Sequence, residues 1–182
     1  MKNNKFGFTL VEILVVIAII GILALGFSRI NYKAISDRQM GIIFTNRIVS
    51  ILETIRNNSL LGKGIPGGEI PSSRTIDIPY GTGKTIITSY ENSGGIVVVN
   101  NEFSLPLGMG EEIRRITCRN FGSGSISENI TTTGSIKFEK EEVKIFGCSD
   151  DSFRILELRT KYRDFEKTII INSINGVIEV IN

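Results

Sequence analysis

The one carboxylate in the first thirty residues, Glu12, sits where a charge is least expected, inside the run Phe8–Phe27 of 20 residues that otherwise holds only Thr9 as a polar side chain. A carboxylate at the centre of a bilayer costs about 2.5 to 3.5 kcal/mol, less near the interface, so such a residue needs a partner and usually has a task. Other groups that could do chemistry are few. No histidine is present, which removes the commonest general base and transition-metal ligand, and no serine or cysteine has a recognisable activating neighbour. An enzyme is therefore not expected, nor a cofactor. Gly81-Thr82-Gly83-Lys84-Thr85 ends like a phosphate-binding loop, but Ile78 stands where the first glycine belongs and β-type residues come after it, so a hairpin turn is the simpler reading. Ser149-Asp150-Asp151-Ser152 offers two carboxylates without further ligand spacing, too few for calcium; no metal is expected.

The apolar run has to be positioned by something. At about 1.5 Å per residue it covers about 30 Å as a helix, the thickness of a bilayer core. A cleaved secretory signal would have a shorter apolar region, and Ala24-Leu25-Gly26 is a poor cleavage site. A plain signal anchor is the other alternative, and charge counting does not orient it, because Arg29, Lys33 and Arg38 balance Lys2 and Lys5. Neither alternative explains Glu12.

Lys5-Phe6-Gly7-Phe8-Thr9-Leu10-Val11-Glu12, continued by Ala18-Ile19-Ile20-Gly21-Ile22-Leu23-Ala24, closely resembles the class III signal of type IV prepilins and type II secretion pseudopilins. The resemblance implies cleavage after Gly7 by prepilin peptidase, N-methylation of the new first residue Phe8, and a role for Glu12 in assembly and register. It also implies the partners: other pilins or pseudopilins through the N-terminal helix, an inner-membrane assembly platform, and membrane lipid before assembly. The location implied is the cytoplasmic membrane, crossed once with the head outside, and then a periplasmic or cell-surface filament. Physically, cleavage leaves an amine at Phe8, and a carboxylate four residues on can neutralise it within or between subunits.

Beyond the apolar run, residues 29–61 contain no proline, and Met40, Phe44, Ile48, Ile51 and Ile55 form one helical stripe. Arg47, Glu53 and Arg56 lie off it, facing solvent. Asn57-Asn58, Gly62, Gly64, Pro66, Gly67 and Gly68 stop the helix near Leu61. Many members of the family place a kinking proline about twenty residues into the mature chain; here Arg29 stands there.

From residue 62 onward the pattern is strand and turn. Strands are expected at 75–78, 84–90, 95–100, 113–118, 135–138, 143–146, 153–159, 168–171 and 177–181, with turns at Tyr80–Gly83, Asn92–Gly95 and Asn175-Gly176. The fold class is thus α+β, a long N-terminal helix packed on an antiparallel β-rich head, with leader 1–7, apolar helix 8–28, amphipathic helix 29–61 and head 62–182. The Arg47–Leu61 region, Gly134-Ser135-Ile136-Lys137-Phe138 and the closing hairpin are similar to H-type minor pseudopilins.

Cys118 and Cys148 can close a disulfide loop of about 31 residues, worth about 3.5 kcal/mol in the chain-entropy model, or remain two small core residues. Taking Lys2 and Lys5 from the 21 basic residues leaves 19 against 19 acidic ones, so no general polyanion-binding charge exists. Arg154, Arg159, Lys161, Arg163 and Lys167 form a basic cluster, diluted by Glu157, Asp164 and Glu166. Some minor pilins similar to this chain bind DNA through a terminal Gly-Arg-x-Arg; here the stretch reads Gly176-Val177-Ile178-Glu179, which argues against a nucleic-acid partner.

Overall fold

The computed structural model describes residues 9–27, 32–65, 68–99, 103–120, 127–140, 142–150 and 152–181. The chain divides into two units, Met1–Ser36 and Asp37–Asn182. An N-terminal helical region, α1 (Leu10–Phe27) and α2 (Tyr32–Leu60), precedes an antiparallel β-rich part, so the α+β expectation holds. The position of Arg29 lies outside the described residues.

Helix α2 ends by a recognisable mechanism. Lys63 N–H donates to the Asn58 carbonyl at 2.9 Å and Gly62 N–H to that of Ser59 at 3.2 Å, the paired bonds of a Schellman motif. Gly62 takes φ +58, where a residue without Cβ avoids steric cost. The buried Arg74 then donates to the Lys63 carbonyl, a cation placed just past the helix C-terminus, where the helix dipole favours it. Burial pulls the Arg74 guanidinium below its ordinary pKa.

The buried face of α2 is Gly41, Phe44, Thr45, Ile48, Leu52 and Ile55. This corrects the expected stripe: Met40 is exposed, and Leu52 takes the central place given to Ile51, which is only partly buried. The reason is close approach. A Cβ on Gly41 would stand 2.2 Å from the Phe165 ring, so the helix comes nearest the sheet at a residue that hydrophobicity does not mark. Beside it Thr45 Oγ1 lies 3.0 Å from both the Gly41 carbonyl and Thr160 Oγ1, and Thr160 Oγ1 lies 3.2 Å from the Lys167 carbonyl, satisfying two buried hydroxyls. Arg47 and Arg56 do not simply face water: Arg47 pairs with Glu111 at 3.1 Å, and Arg56 donates to the Asn175 carbonyl at 3.3 Å.

The strands are β1 (Ser73–Pro79), β2 (Gly81–Thr82), β3 (Thr85–Glu91), β4 (Val97–Val99), β5 (Leu105–Pro106), β6 (Glu111–Arg119), β7 (Ser127–Ile130), β8 (Thr133–Glu139), β9 (Glu142–Phe146), β10 (Ile155–Tyr162), β11 (Phe165–Asn172) and β12 (Ile178–Ile181). One sheet runs β4-β3-β1-β8-β9 with β5 on β3; the other runs β12-β11-β10-β6-β2 with β7 on β6. Alternation sends Ile76, Ile78, Ile136 and Phe138 of the first sheet, and Ile113, Ile116, Leu156, Leu158, Ile169 and Ile171 of the second, into one core with the α2 face. The segment read as a simple turn at Tyr80–Gly83 is different: Gly81 and Thr82 cross over to pair with Ile113 and Glu112. The connection between β1 and β3 therefore touches both sheets.

The loop after β9 is held tightly. Gly147 adopts φ +93, and a Cβ there would meet the Thr133 carbonyl oxygen at 2.6 Å. Gly147→Ala should therefore destabilise the protein by about 2 kcal/mol, a fall of roughly 5 °C in melting temperature, readable by thermal circular dichroism; an unchanged melting temperature would contradict the geometry.

On the exposed side of the first sheet, Lys137 lies 3.2 Å from Glu91 and 2.8 Å from Glu139, and Lys144 bridges Glu139 and Glu142. Hydrogen bonds from Lys137 and then Lys144 hold the Glu139 carboxyl below its usual value, and Lys137 followed by Ser73 does the same to Glu91. Lys137 is raised, chiefly by Glu139. Depressed carboxylates stabilise the fold above their ordinary pKa, and that contribution disappears as pH falls through the folded values; the raised lysine's contribution is lost as pH rises through its folded value. Melting temperature should thus fall below about pH 4, and the fall should be shallower in Glu139→Gln, which starts slightly lower at neutral pH. Parallel curves for the two proteins would show the network has no such role.

Candidate functional site

The first turn of α1 is locked by its own side chains. Thr9 N–H donates to a Glu12 carboxylate oxygen at 3.2 Å, Glu12 N–H donates to Thr9 Oγ1 at 3.3 Å, and the Thr9 hydroxyl also donates to the carboxylate at 3.4 Å. This is a capping box, two otherwise orphaned helix N–H groups satisfied reciprocally, and it puts the negative charge at the positive end of the helix dipole. Thr9 is a site residue that reasoning from the sequence passes over, although Thr9-Leu10-Val11-Glu12 has the capping-box spacing. Gly7 and Phe8 lie outside the described residues.

Beyond Glu12 the helix is apolar on every side. Each described side chain from Leu10 to Leu23 is exposed, with Leu10 at 78% and Ile22 at 71%, and nothing among the described residues covers them. Each large aliphatic side chain gains about 1.5 to 3 kcal/mol on leaving water. A helix apolar all round belongs inside lipid or among other helices. The 18 residues of α1 rise about 27 Å, and among the described residues no helix is long and apolar enough to cross a membrane. The span expected from residue 8 begins outside them.

The remaining expected residues fall apart into separate places. Cys118, fully buried in β6, is joined in a disulfide to Cys148, just past β9, so the bond ties one sheet to the other. The basic cluster is dispersed. Arg163, at the β10–β11 turn, pairs with Asp37 at 2.7 Å and lies over the Tyr162 ring, Lys167 lies over Phe165, and Arg154 is in the loop before β10. Among the described residues no three His, Cys, Asp or Glu side chains could hold a metal ion.

The family model for the prokaryotic N-terminal methylation motif matches residues 2–28. That segment is the class III signal of type IV pilins and pseudopilins, and it supports a precursor processed by prepilin peptidase, anchored in a membrane and then assembled into a filament. The motif points to a structural protein, not an enzyme, and to other pilins as assembly partners. Comparison with curated proteins and with solved structures finds no significant match to either.

Proposed function

We propose that the chain is a structural subunit, of the minor kind, of a type IV pilus or type II secretion pseudopilus. The observation that carries this reading is the methylation motif at residues 2–28 joined to a helix whose apolar side chains are exposed all round. Prepilin peptidase cuts after Gly7, and Phe8 becomes the methylated N-terminus. Before assembly the helix from Phe8 lies once across the cytoplasmic membrane with the β-rich part outside. Extraction from lipid into the filament exchanges one apolar environment for another, so the step has little hydrophobic cost, and the pairing of the Phe8 amine with Glu12 supplies register. The assembly platform of the membrane drives that transfer.

The test is intact mass and N-terminal fragmentation of the protein expressed with and without a prepilin peptidase. Peptidase-dependent loss of residues 1–7 together with a methyl group on Phe8 is the expected result. An unprocessed Met1 in the presence of an active peptidase would leave an anchored β-domain instead.

A further inference from the structure

The second sheet carries an arrangement that the assembly reading does not use. Arg115 of β6 and Arg159 of β10 are directly opposite each other across the antiparallel pair. Like charges in that relation destabilise a sheet. Other arginines nearby are neutralised: Arg114 pairs with Glu166, Arg119 with Glu157 and Arg163 with Asp37. Among the described residues Arg115 and Arg159 have no hydrogen-bonding or ionic partner, and Glu157, between them and Arg119, is already engaged.

The backbone is built to present them. Pairing slips between Arg159 and Thr160, which face Arg115 and Ile113, so Arg114 is an extra residue in β6. A bulge of this kind re-aims side chains. Its consequence is visible in the burial, where Ile113 and Ile116 point inward and both arginines between them outward. Arg115 and Arg159 line a surface cavity of about 280 Å³ together with Arg119, Thr117, Ser127, Asn129, Thr168 and Glu157, the last a carboxylate whose charge Arg119 already neutralises. No apolar side chain lines it. Guanidinium groups recognise carboxylate and phosphate oxygens through paired N–H donors, and donors arriving from four strands suit a tetrahedral oxyanion better than a planar one. The cavity is at the small end of ligand sites, sized for one charged group.

We propose that this cavity is an oxyanion site in which Arg115 and Arg159 clamp a phosphate group, with the Asn129 amide and the Ser127 and Thr168 hydroxyls as neutral donors, while Thr117 Oγ1 donates to Asn129 Oδ1 at 2.9 Å and so leaves the amide N–H groups to the anion. The anion neutralises the cross-strand repulsion, and the bulge in β6 is the device that places the two guanidiniums around it.

The purified full chain, kept in non-ionic detergent, is titrated calorimetrically with inorganic phosphate at constant ionic strength. Saturable one-to-one binding with a dissociation constant on the order of 1 mM is expected. Arg115→Gln and Arg159→Gln should each weaken it at least tenfold, whereas Lys84→Gln, the same charge change elsewhere, should not. In phosphate-free buffer neither arginine variant should melt below the wild type, because each removes a repulsion. A single-stranded oligonucleotide that competes with phosphate and fails with the same two variants would identify the source as a phosphodiester polymer and keep the site. Absence of phosphate binding in the folded wild type, or phosphate binding untouched by both variants, would overturn the proposal and leave only diffuse charge attraction.

Discussion

Glu12→Ala is expected to be cleaved normally by prepilin peptidase and to be almost absent from filaments. The capping bond and the proposed charge pairing with the Phe8 amine are removed at once, and two further variants separate them. Glu12→Gln keeps a capping-box side chain, since glutamine serves at that position as glutamate does, but it has no charge to offer the Phe8 amine. Thr9→Ala does the reverse: it removes the cap while keeping the carboxylate. Loss of a cap costs about 0.5 to 2 kcal/mol, whereas leaving one member of a buried ion pair without its partner costs about 3 to 5 kcal/mol. At about 1.4 kcal/mol per factor of ten, the charge effect is on the order of a hundredfold or more at each subunit contact. Filament incorporation, measured by quantitative immunoblotting of sheared filaments against membrane pools, should therefore rank wild type, Thr9→Ala, Glu12→Gln and Glu12→Ala in descending order, with a wide gap after Thr9→Ala. A Glu12→Gln protein that assembles as well as the wild type would remove charge pairing from the mechanism and leave the cap as the reason for the residue.

The capping box adds a step to this picture. Before a subunit meets its neighbour, the Glu12 carboxylate is already held by Thr9 N–H and Oγ1. Both bonds fall on the same carboxylate oxygen, so in the proposed pairing the other oxygen keeps its lone pairs for an amine from another subunit, and Thr9 sets the orientation from which that pair would form.

The class of the fold was legible because period and turn chemistry agreed over long stretches. Strands β1, β3, β6 and β8 to β12 begin or end within a few residues of the expected limits, and the Asn175-Gly176 hairpin is present, with Thr168 opposite Ile181. The strands that escaped notice are those whose existence depends on a distant partner. Gly81-Thr82 carries turn residues, yet Ile113 and Glu112 recruit it. Ser127–Ile130 is mostly polar and is a strand because Ile116 and Cys118 lie opposite Ile130 and Glu128. Leu105-Pro106 is two residues long and is held by Thr85 and Ile86. The helix stripe was right at Phe44, Ile48 and Ile55 and incomplete for the same reason, since Gly41 and Thr45 are buried by the Phe165 ring and the Thr160 hydroxyl, neither of which can be read from α2 alone.

The sites divide along the same line. Glu12 stood out because a charge in an apolar run has no bland explanation. Arg115 and Arg159 did not, because 44 positions separate them and only the register of β6 against β10 makes them opposite. One local signal existed: Arg114-Arg115 between Ile113 and Ile116 breaks the alternation of an otherwise regular strand, which is how a bulge shows itself in sequence.

The disulfide should have the largest effect on stability of any change in the β-rich part. Cys118 lies in the core on β6 of one sheet, and Cys148 comes just after β9 at the edge of the other. The bond thus closes a loop containing β7, β8 and β9 and joins the two sheets where, among the described residues, no strand pairing does so. With a sequence separation of 30, the chain-entropy contribution is about 3.5 kcal/mol. A domain of ordinary size has only about 5 to 15 kcal/mol in total, and at about 2 to 4 °C per kcal/mol the melting temperature should drop by roughly 10 °C. Full reduction of the wild type and the double substitution Cys118→Ala, Cys148→Ala should lower it by similar amounts, with the double variant slightly worse because the alanine at 118 leaves out a buried sulfur. Reductant should then have no further effect on the double variant. Equal melting temperatures for oxidised and fully reduced wild type, with thiol content verified, would mean that packing, together with Ser149 N–H on the Glu128 carboxylate at 2.8 Å, suffices to hold the β9 loop without the bond.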